Sequence, residues 1–339
     1  MSVSGFSVVG QDKALRLLSR ARRHGRLAHA YLFTGPKGCG KTTLARAFAT
    51  ALLCRNGQAD PEAAGCGLCP SCRQMAGGNH PDFAVIEADG QGIRIDRIRG
   101  MKEALGFPPL EGALRVVLIH GAHTMQAAAA NSLLKILEEP PDGNLLLLTA
   151  DDNAGILPTI RSRCQLIPLQ ALPIRLAAEV IAGQNPGLSP AESLELARLS
   201  GGCPGLAIGM AQDAMRPLYH DLTAALGEYH GNPAERVQRA LILAGRLHEH
   251  KEFGELLLRP LAALLKDVLA SRLGCPPPGQ ADPALAAIRE VWNTEQLSAK
   301  VTAIEKALDA LSRNCNPALV FEVLLLELLD PLGSFPVRA

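Results

Sequence analysis

The sequence predicts an α/β domain with a parallel sheet, followed by an all-α region. Short apolar runs alternate with helical patterns as far as about residue 168, which is typical of parallel strands joined by crossover helices. After Pro173 the strand patterns end, and apolar residues recur at helical spacing. With 47% hydrophobic but only 4% aromatic residues, we expect cores of Leu, Ala, Val and Ile. A length of 339 residues predicts two or three domains.

The first predicted elements are a basic helix, a strand, a glycine-rich loop and a second helix. Gln11 to about His24 forms the first helix, whose basic side chains predict a solvated face or a surface that meets DNA or a partner. Ala30–Phe33 is an apolar strand, and Thr42–Leu53 has helical spacing. Between them lies G-P-K-G-C-G-K-T, which fills every position of the motif G-x-x-x-x-G-K-[ST].

This order of strand, loop and helix predicts a phosphate-binding loop. Backbone N–H groups of the loop and of the helix N-terminus point at phosphates, and Lys41 is expected to reach the β and γ oxygens. We expect ATP or ADP as the ligand, with any Mg²⁺ held partly by the hydroxyl of Thr42. The predicted nucleotide-binding residues are Gly35, Gly38, Gly40, Lys41, Thr42 and Thr43.

Four cysteines then follow with the spacing C-x₁₁-C-x₂-C-x₂-C, namely Cys54, Cys66, Cys69 and Cys72. Two-residue spacings let neighbouring thiolates reach one metal ion, and the fourth closes a tetrahedron with no position left for water. The spacing therefore predicts a structural Zn²⁺ site in residues 54–72. Two alternatives stay open: an iron–sulfur cluster, and a zinc site in which His80 replaces Cys54.

Three further strands are predicted, with a helix before the last of them. The strands are Phe83–Ile86, Val116–Ile119 and Leu145–Leu148, and the helix is Ala127–Glu139. P-loop NTPases hold Mg²⁺ with the loop hydroxyl and with an acid at the end of a second strand, to which Val116–Ile119 corresponds here. Here that strand runs into His120-Gly121. We therefore expect nucleotide binding with little or no intrinsic ATPase, and His120 as a substitute base is a disfavoured alternative.

The second half of the chain is predicted to be helical. Arg175 to about Ala211 forms a short helical region broken at Gly201–Gly205. A larger block follows, with helices at Leu222–Tyr229, Ala234–His248, Glu252–Leu273, Leu297–Leu311 and Pro317–Leu329 and a loop at Cys275–Gly279. The predicted domains are 1–168, which includes the zinc module, then 169–212 and 213–339.

Charge and cysteine usage restrict the class of protein. The formal net charge is +1, so any contact with nucleic acid must be local. The first residues lack the pattern of a signal peptide, and no apolar stretch predicts a membrane span. Nine cysteines without an export signal favour metal binding in a reducing compartment. We therefore expect a cytoplasmic protein with no membrane partner.

Several motifs occur together in a fixed order. They are the P-loop, the cysteine cluster followed by His80-Pro81-Asp82, the run L-L-K-I-L-E-E-P-P at 133–141, and Ser162-Arg163-Cys164. In these motifs the chain resembles the AAA+ clamp-loader family of bacterial DNA polymerase III. Val9-Gly10-Gln11 and the closing segment from Asn316 to Leu328 match the family as well, so the resemblance covers essentially the whole chain.

The resemblance implies an AAA+ P-loop domain with an inserted zinc module, a small helical lid and a C-terminal helical collar. It implies a hetero-oligomer with motor subunits (gamma/tau) and a delta subunit, which places a sliding clamp on primed DNA. In that family the arginine of the Ser-Arg-Cys motif projects into the ATP site of a neighbouring subunit, and Arg163 matches it. The alternative is that Arg163 pairs with a carboxylate of its own chain.

Two departures from the family pattern favour a non-motor (stator) subunit. His120-Gly121 stand where the motor subunits carry Asp-Glu, and Gly205-Leu206 stand near the position of a nucleotide-sensing arginine. An active motor subunit of gamma/tau type, hydrolysing ATP in its own site, is the alternative. A zinc-dependent nucleic-acid-binding module is a third reading, which the near-neutral charge and the scarcity of aromatic residues disfavour.

Overall fold

The structure, a computed structural model, describes residues 8–56, 65–90, 92–151, 155–212, 215–228, 232–251, 254–275, 283–313 and 315–329. The chain divides into two compact units, Met1–Ala197 with Gly202–Gly205, and Arg198–Gly201 with Leu206–Ala339. Some sequence predictions fall outside the described residues: the N-terminal segment 1–6, the helix ends at Tyr229 and Glu252, and the loop residues 276–279. The division into three domains stays a prediction.

The N-terminal unit contains a five-stranded parallel sheet. Its strands are β1 (Ala30–Thr34), β2 (Phe83–Ile86), β3 (Arg115–Ile119), β4 (Asn144–Ala150) and β5 (Gln165–Pro168). They lie in the order β2-β3-β4-β1-β5. Every residue of β1 is buried, as the continuous apolar pattern of a central parallel strand predicts. The predicted parallel α/β architecture is confirmed.

Helices alternate with these strands along the chain. They are α1 (Asp12–Arg23), α2 (Lys41–Leu53), α3 (Pro70–Gly77), α4 (Ile95–Leu105), α5 (Ala127–Glu138) and α6 (Pro158–Arg161). After β5 come α7 (Ile174–Gln184), α8 (Pro190–Leu199) and α9 (Pro204–Gln212), and most of α9 belongs to the second unit. A core of aliphatic side chains includes Ile98 and Leu105 of α4, Leu133 of α5, and Val117 and Leu148 of the sheet. This burial holds the strand ends in fixed positions.

The sheet brings three loops to one edge. Because all strands are parallel, their carboxyl ends lie on the same side, where α/β proteins commonly bind ligands. The register pairs Thr34 with Ala150 and Ile119 with Leu148. The segments that follow β1, β3 and β4 therefore start close to one another.

The C-terminal unit is helical over its described residues. Its helices are α10 (Met215–Gly227), α11 (Pro233–Glu249), α12 (Gly254–Arg272), α13 (Pro283–Val291), α14 (Thr294–Ser312) and α15 (Pro317–Leu329). Helix α11 packs against α15, and α12 packs against α14. The predicted all-α second half is confirmed, although α13 was not predicted. Among the described helices, none has the length and apolar character needed to cross a membrane.

A single tryptophan lies within this helical unit. Trp292 is 2% exposed, and its indole N–H donates to the carbonyl of Leu226 at 2.7 Å. The ammonium of Lys300, itself buried, lies 3.6 Å from the ring centroid and donates to the carbonyl of Leu328 at the end of α15. Both a cation–π contact and the negative end of a helix thus stabilise this buried charge.

Candidate functional site

The predicted phosphate-binding loop lies between β1 and α2, and its glycines are required by the backbone. Gly35 has φ +149°, and a Cβ there would lie 2.4 Å from the carbonyl oxygen of Leu169. Gly38 and Gly40 have φ of 75° and 99°, a region that favours glycine. Gly40 is also the N-cap of α2, and its carbonyl accepts the N–H of Leu44. The loop therefore has a backbone that other residues would strain.

Lys41 is held inside the loop by three acceptors. The side chain is 5% exposed, and its ammonium donates to the carbonyls of Gly35 at 2.8 Å and Pro36 at 2.7 Å. The third partner is the carboxylate of Asp151, with Nζ 2.8 Å from Oδ1. An ammonium has three donors, and all three have an acceptor here.

Thr42 faces the end of β3, where the sequence predicts that an acid is missing. Its hydroxyl lies 3.0 Å from Nδ1 of His120. The same nitrogen lies 3.2 Å from the hydroxyl of Thr149 in β4, and Thr149 also accepts the N–H of Gly121 at 3.0 Å. His120, the residue after β3, is thus in contact with the loop hydroxyl, but it offers an imidazole instead of a carboxylate.

The loop fits phosphate better than it fits magnesium. A glycine-rich backbone at a helix N-terminus, with a lysine, suits the phosphates of a nucleotide. Mg²⁺ prefers oxygen ligands in octahedral geometry, whereas the hydroxyl of Thr42 meets an imidazole nitrogen. The carboxylate of Asp151 is engaged by Lys41.

Asp151 was not predicted as a member of the site. It follows β4, whose register with β1 brings it to the loop. His123 orients it: the backbone N–H of Asp151 donates to Nδ1 at 3.3 Å, and Nε2 lies 3.7 Å from Oδ2. The sequence could have indicated Asp151, because it is an acid directly after a long apolar strand, at the edge of a parallel sheet where ligands commonly bind.

The loop is anchored by one earlier and one later segment of the same unit. The N–H of Gly205 donates to the carbonyl of Gly38 at 2.9 Å, and a Cβ on Gly205 would lie 3.0 Å from Cα of Gly38. The amide of Gln11 donates to the carbonyl of Gln170 at 2.8 Å and, at 3.5 Å, to that of Cys39. Glycine at position 205 thus allows close backbone contact with the loop.

The four predicted cysteines come together. The sulfur atoms of Cys54, Cys66, Cys69 and Cys72 all lie within 4.8 Å of one another, and no disulfide joins the described cysteines. Backbone N–H groups of Cys66, Cys69 and Cys72 each donate at 3.4 Å to the sulfur of the preceding cysteine in this set. Tight glycine turns allow this, because a Cβ on Gly65 would lie 2.8 Å from the sulfur of Cys72.

This cluster fits a tetrahedral thiolate-bound metal ion. Hydrogen bonds from the backbone N–H groups of Leu68 and Cys69 lower the pKa of Cys66 to about 6, which favours the thiolate that binds metals. Burial raises the pKa of Cys72 to about 12. A buried neutral thiol of this kind loses its proton when a cation coordinates it. Zn²⁺ suits four sulfur ligands.

His80 does not join the cysteines. Its Nδ1 accepts the N–H of Asp82 at 3.1 Å, and its Nε2 lies 2.9 Å from the hydroxyl of Ser71. Ser71 in turn donates to the carbonyl of Leu53 at 2.7 Å, so a neutral imidazole satisfies the whole chain of bonds. Burial lowers the pKa of His80 in agreement with this. The structure therefore favours Cys54 as the fourth ligand.

Asp82, from the same His-Pro-Asp motif, forms hydrogen bonds with the segment that follows α4. Its fully buried carboxylate accepts the N–H groups of Leu110 at 2.6 Å and Glu111 at 2.8 Å. Arg115 lies 4.0 Å away. Burial alone would raise the pKa of Asp82, but the backbone hydrogen bonds and Arg115 lower it overall.

Arg163 lies just after α6 and is partly exposed. Its guanidinium forms an ion pair with Glu138 of α5, with Nη2 2.8 Å from Oε1, and the side-chain exposures are 36% and 49%. It also donates to the carbonyl of Thr159 at 3.1 Å. The carboxylate pairing considered from the sequence is therefore present, and the Arg163 side chain is partly accessible to solvent.

Comparison with known proteins supports the resemblance found in the sequence. Residues 10–173 match the family described as DNA polymerase III, delta subunit. The delta' subunit of DNA polymerase III from Pseudomonas aeruginosa is 43% identical over 183 residues, which is 52% of this chain and 54% of that protein. The Bacillus subtilis delta' subunit is 38% identical over 162 residues, 48% of each chain.

Gamma/tau subunits match this chain over a similar length. The Mycobacterium tuberculosis DNA polymerase III subunit gamma/tau is 38% identical over 176 residues, 52% of this chain and 30% of that protein. The chain thus spans from under a third to about half of the length of these relatives. The resemblance to a clamp-loader subunit of the delta-prime type is confirmed for this part of the chain.

Proposed function

We propose that this chain, whose residues 10–173 match the family described as DNA polymerase III, delta subunit, is the non-motor (stator) subunit of a clamp loader. In this role it helps other subunits load a sliding clamp onto primed DNA with ATP. The observation that carries the proposal is the contact between Thr42 and His120 at 3.0 Å. An imidazole stands where a motor subunit needs an acid for Mg²⁺.

Arg163 is the residue through which the stator would act on its neighbour. Arginine is always charged and offers a planar fork of donors that matches phosphate oxygens. The Arg163 side chain is partly exposed, and so is the side chain of Glu138, with which it pairs. We propose that Arg163 enters the ATP site of an adjacent motor subunit and offsets charge on the transferring phosphoryl group.

The proposed partners are motor subunits of gamma/tau type, a delta subunit, the sliding clamp and primed DNA. Assembly through a helical collar, with a lid at 169–212, is part of this proposal. It is supported by exposed apolar side chains on the two mutually packed helices α11 and α15, namely Leu241, Ile242, Leu319 and Val323. Such side chains favour a contact with other subunits.

An active motor of gamma/tau type is the second candidate. The 38% identity to a gamma/tau subunit favours it. However, the residues that would hold Mg²⁺ and orient water in a motor are His120 and Gly121 here, and neither supplies a carboxylate. We therefore expect negligible ATP turnover by the chain alone.

The test is a reconstituted clamp loader in which only this subunit is varied. Arg163→Ala should lower the ATPase activity that DNA and clamp stimulate, while assembly measured by gel filtration is unchanged. Arginine fingers contribute roughly 10³–10⁵ in rate in GTPases, and several sites in one assembly dilute the loss of one. Arg163→Lys should restore little activity, because an ammonium lacks the planar fork.

Glu138→Gln is the matched control, since it removes the ion pair but keeps the guanidinium. It should retain ATPase activity if Arg163 acts in trans. If Arg163→Ala leaves stimulated ATPase and clamp loading unchanged, the pairing with Glu138 is the whole role of Arg163. Steady turnover by the isolated chain, lost in Lys41→Ala, would favour the motor candidate.

A further inference from the structure

The ammonium of Lys41 has no donor left for a ligand. Two of its three partners are backbone carbonyls of the loop itself, Gly35 and Pro36. The third, the Asp151 carboxylate, is the only charged one of the three. A phosphate oxygen can reach the ammonium only if one of these bonds breaks.

Asp151 is the partner able to leave. The carbonyls are fixed by the loop backbone, whereas the carboxylate is on a side chain that is 38% exposed. A carboxylate that turns toward solvent regains water as a hydrogen-bond donor. His123, with Nε2 3.7 Å from Oδ2, lies beside it and can hold it away from Lys41. A carboxylate that stayed would repel the incoming phosphates.

We propose that Asp151 is an internal competitor for the phosphate groups of a nucleotide, so that ATP or ADP binds this loop by displacing Asp151 from Lys41 and does so without a divalent metal. This inference rests on the nucleotide-binding loop of the proposed function. It adds that Asp151 limits the affinity for nucleotide and that the nucleotide binds without a divalent metal.

The expectation that nucleotide binds without a metal rests on the surroundings of Thr42. Its hydroxyl faces Nδ1 of His120, and that nitrogen also meets the hydroxyl of Thr149. Nitrogen is a poor ligand for Mg²⁺, which keeps oxygen ligands and waters. Among the described residues, the backbone N–H groups of the loop and Lys41 would then bind the phosphates.

The experiment measures ATP and ADP binding to the full chain by isothermal titration calorimetry, with excess MgCl₂ or with excess EDTA. Asp151→Asn should bind both nucleotides about 10- to 100-fold more tightly than the wild type, the range expected for one hydrogen bond to a charged group. For the wild type and the variant alike, the affinity in EDTA should equal or exceed that in MgCl₂. Lys41→Ala should abolish binding.

Asp142→Asn is the matched control. Asp142 and Asp151 flank β4 at opposite ends, so both variants remove one carboxylate from the same domain. A seven-residue strand spans more than a Debye length at physiological salt, roughly 8 Å. Asp142→Asn should therefore bind nucleotide as the wild type does, and equal tightening by both variants would overturn the proposal.

Asp151→Asn leaves the buried ammonium without its anion, so its folding is checked by circular dichroism. Asp151→Ser, which offers Lys41 a small neutral acceptor, is the second variant and should show the same tightening. A crystal structure of the wild-type chain with ATP tests the point without any variant. Nucleotide bound while Nζ of Lys41 still contacts Asp151 would overturn the proposal.

Other outcomes are equally decisive. If Asp151→Asn weakens binding and the wild type requires Mg²⁺, Asp151 is a metal ligand and the proposal is wrong. If neither the wild type nor the variants bind nucleotide, the loop is not a nucleotide site and the proposal is also wrong. The stator function is tested separately by Arg163→Ala in the assembled complex, so the two can fail independently.

Discussion

Asp82 shows what one buried carboxylate does in this fold. It accepts two backbone N–H groups of the segment after α4, and Arg115 lies near it. These bonds replace the water that the carboxylate loses on burial. The segment at Leu110 and Glu111 is therefore tied to the residue that precedes β2.

We expect Asp82→Asn to lower the free energy of unfolding of the N-terminal unit by about 1–3 kcal/mol, because an amide turns an N–H donor toward at least one of the two backbone N–H groups. Urea unfolding followed by circular dichroism measures this. Asp89→Asn, which removes one partner of a more exposed ion pair with Arg94, should change the stability by at most about 1 kcal/mol.

The effect of Asp82 should depend on pH. Its folded-state pKa is lowered, so its stabilisation is complete above the unfolded value near pH 4 and is lost as the pH falls through the folded value. The difference between wild type and Asp82→Asn should thus be constant from neutral pH to about pH 4 and shrink below it. A difference that grows on acidification would contradict this account.

Single residues differ in how well the sequence predicts their roles. The cysteine cluster was predictable because two-residue spacings bring Cys66, Cys69 and Cys72 together, and Cys54 is the nearest preceding cysteine that could complete a set of four. His120 was also predictable, since it directly follows a recognisable strand. The pairing of Lys41 with Asp151 depends on the register between β1 and β4, which apolar periodicity does not specify.

At the scale of elements, the cysteine cluster and α3 form one structure. Cys69 precedes α3, and its sulfur accepts the N–H of Cys72, so one predicted metal ligand also caps the helix. We expect Cys69→Ser, or treatment with a strong chelator, to remove a bound zinc ion and to destabilise the N-terminal unit. Structural zinc contributes about 10–16 kcal/mol of apparent binding energy in small peptides.

Elemental analysis and thermal unfolding check this together. Cys315→Ser is the control, because Cys315 is exposed and outside the cluster, and it should keep both the metal and the stability. Iron in place of zinc, or an intact fold with no metal and four free thiols, would refute the zinc site.

Several elements with strong apolar patterns were predicted to within one or two residues, but α10 starts at Met215 and α14 at Thr294, earlier than the predicted Leu222 and Leu297. Helix α15 lies at Pro317–Leu329 as predicted, and β1 extends the predicted strand by one residue. Helices α3, α4, α6 and α13 and strand β5 were not predicted. Four of these have at most nine residues, and α4 carries charged residues among its apolar positions. Tertiary contacts stabilise these elements, and the sequence pattern does not show such contacts.

At the scale of the whole molecule, we expect the folding of the helical unit to depend on α15. It packs against α11 and α14, and Phe321, Leu325 and Leu328 are each at most 1% exposed. Ending the chain at Asn316 would leave the facing sides of both helices open to water. We expect such a chain to lose complex formation in gel filtration with partner subunits.

A milder pair of variants separates folding from assembly. Leu325→Ala, at 1% exposure, should destabilise the unit by about 2–5 kcal/mol, whereas Leu319→Ala, at 59% exposure, should change stability by at most about 0.5 kcal/mol. If Leu319→Ala nevertheless weakens the complex, the exposed face of α15 contacts a partner. Equal loss of stability in both variants would contradict the burial described for this helix.

The position of Trp292 gives the helical unit an optical signal of its own. The chain has one tryptophan, and it lies in the C-terminal unit with its ring beneath the ammonium of Lys300. Selectively excited fluorescence therefore comes from this unit alone, while circular dichroism comes from both. The emission will shift to longer wavelength when water reaches the indole, so unfolding of the two units can be followed separately in one sample without an added dye.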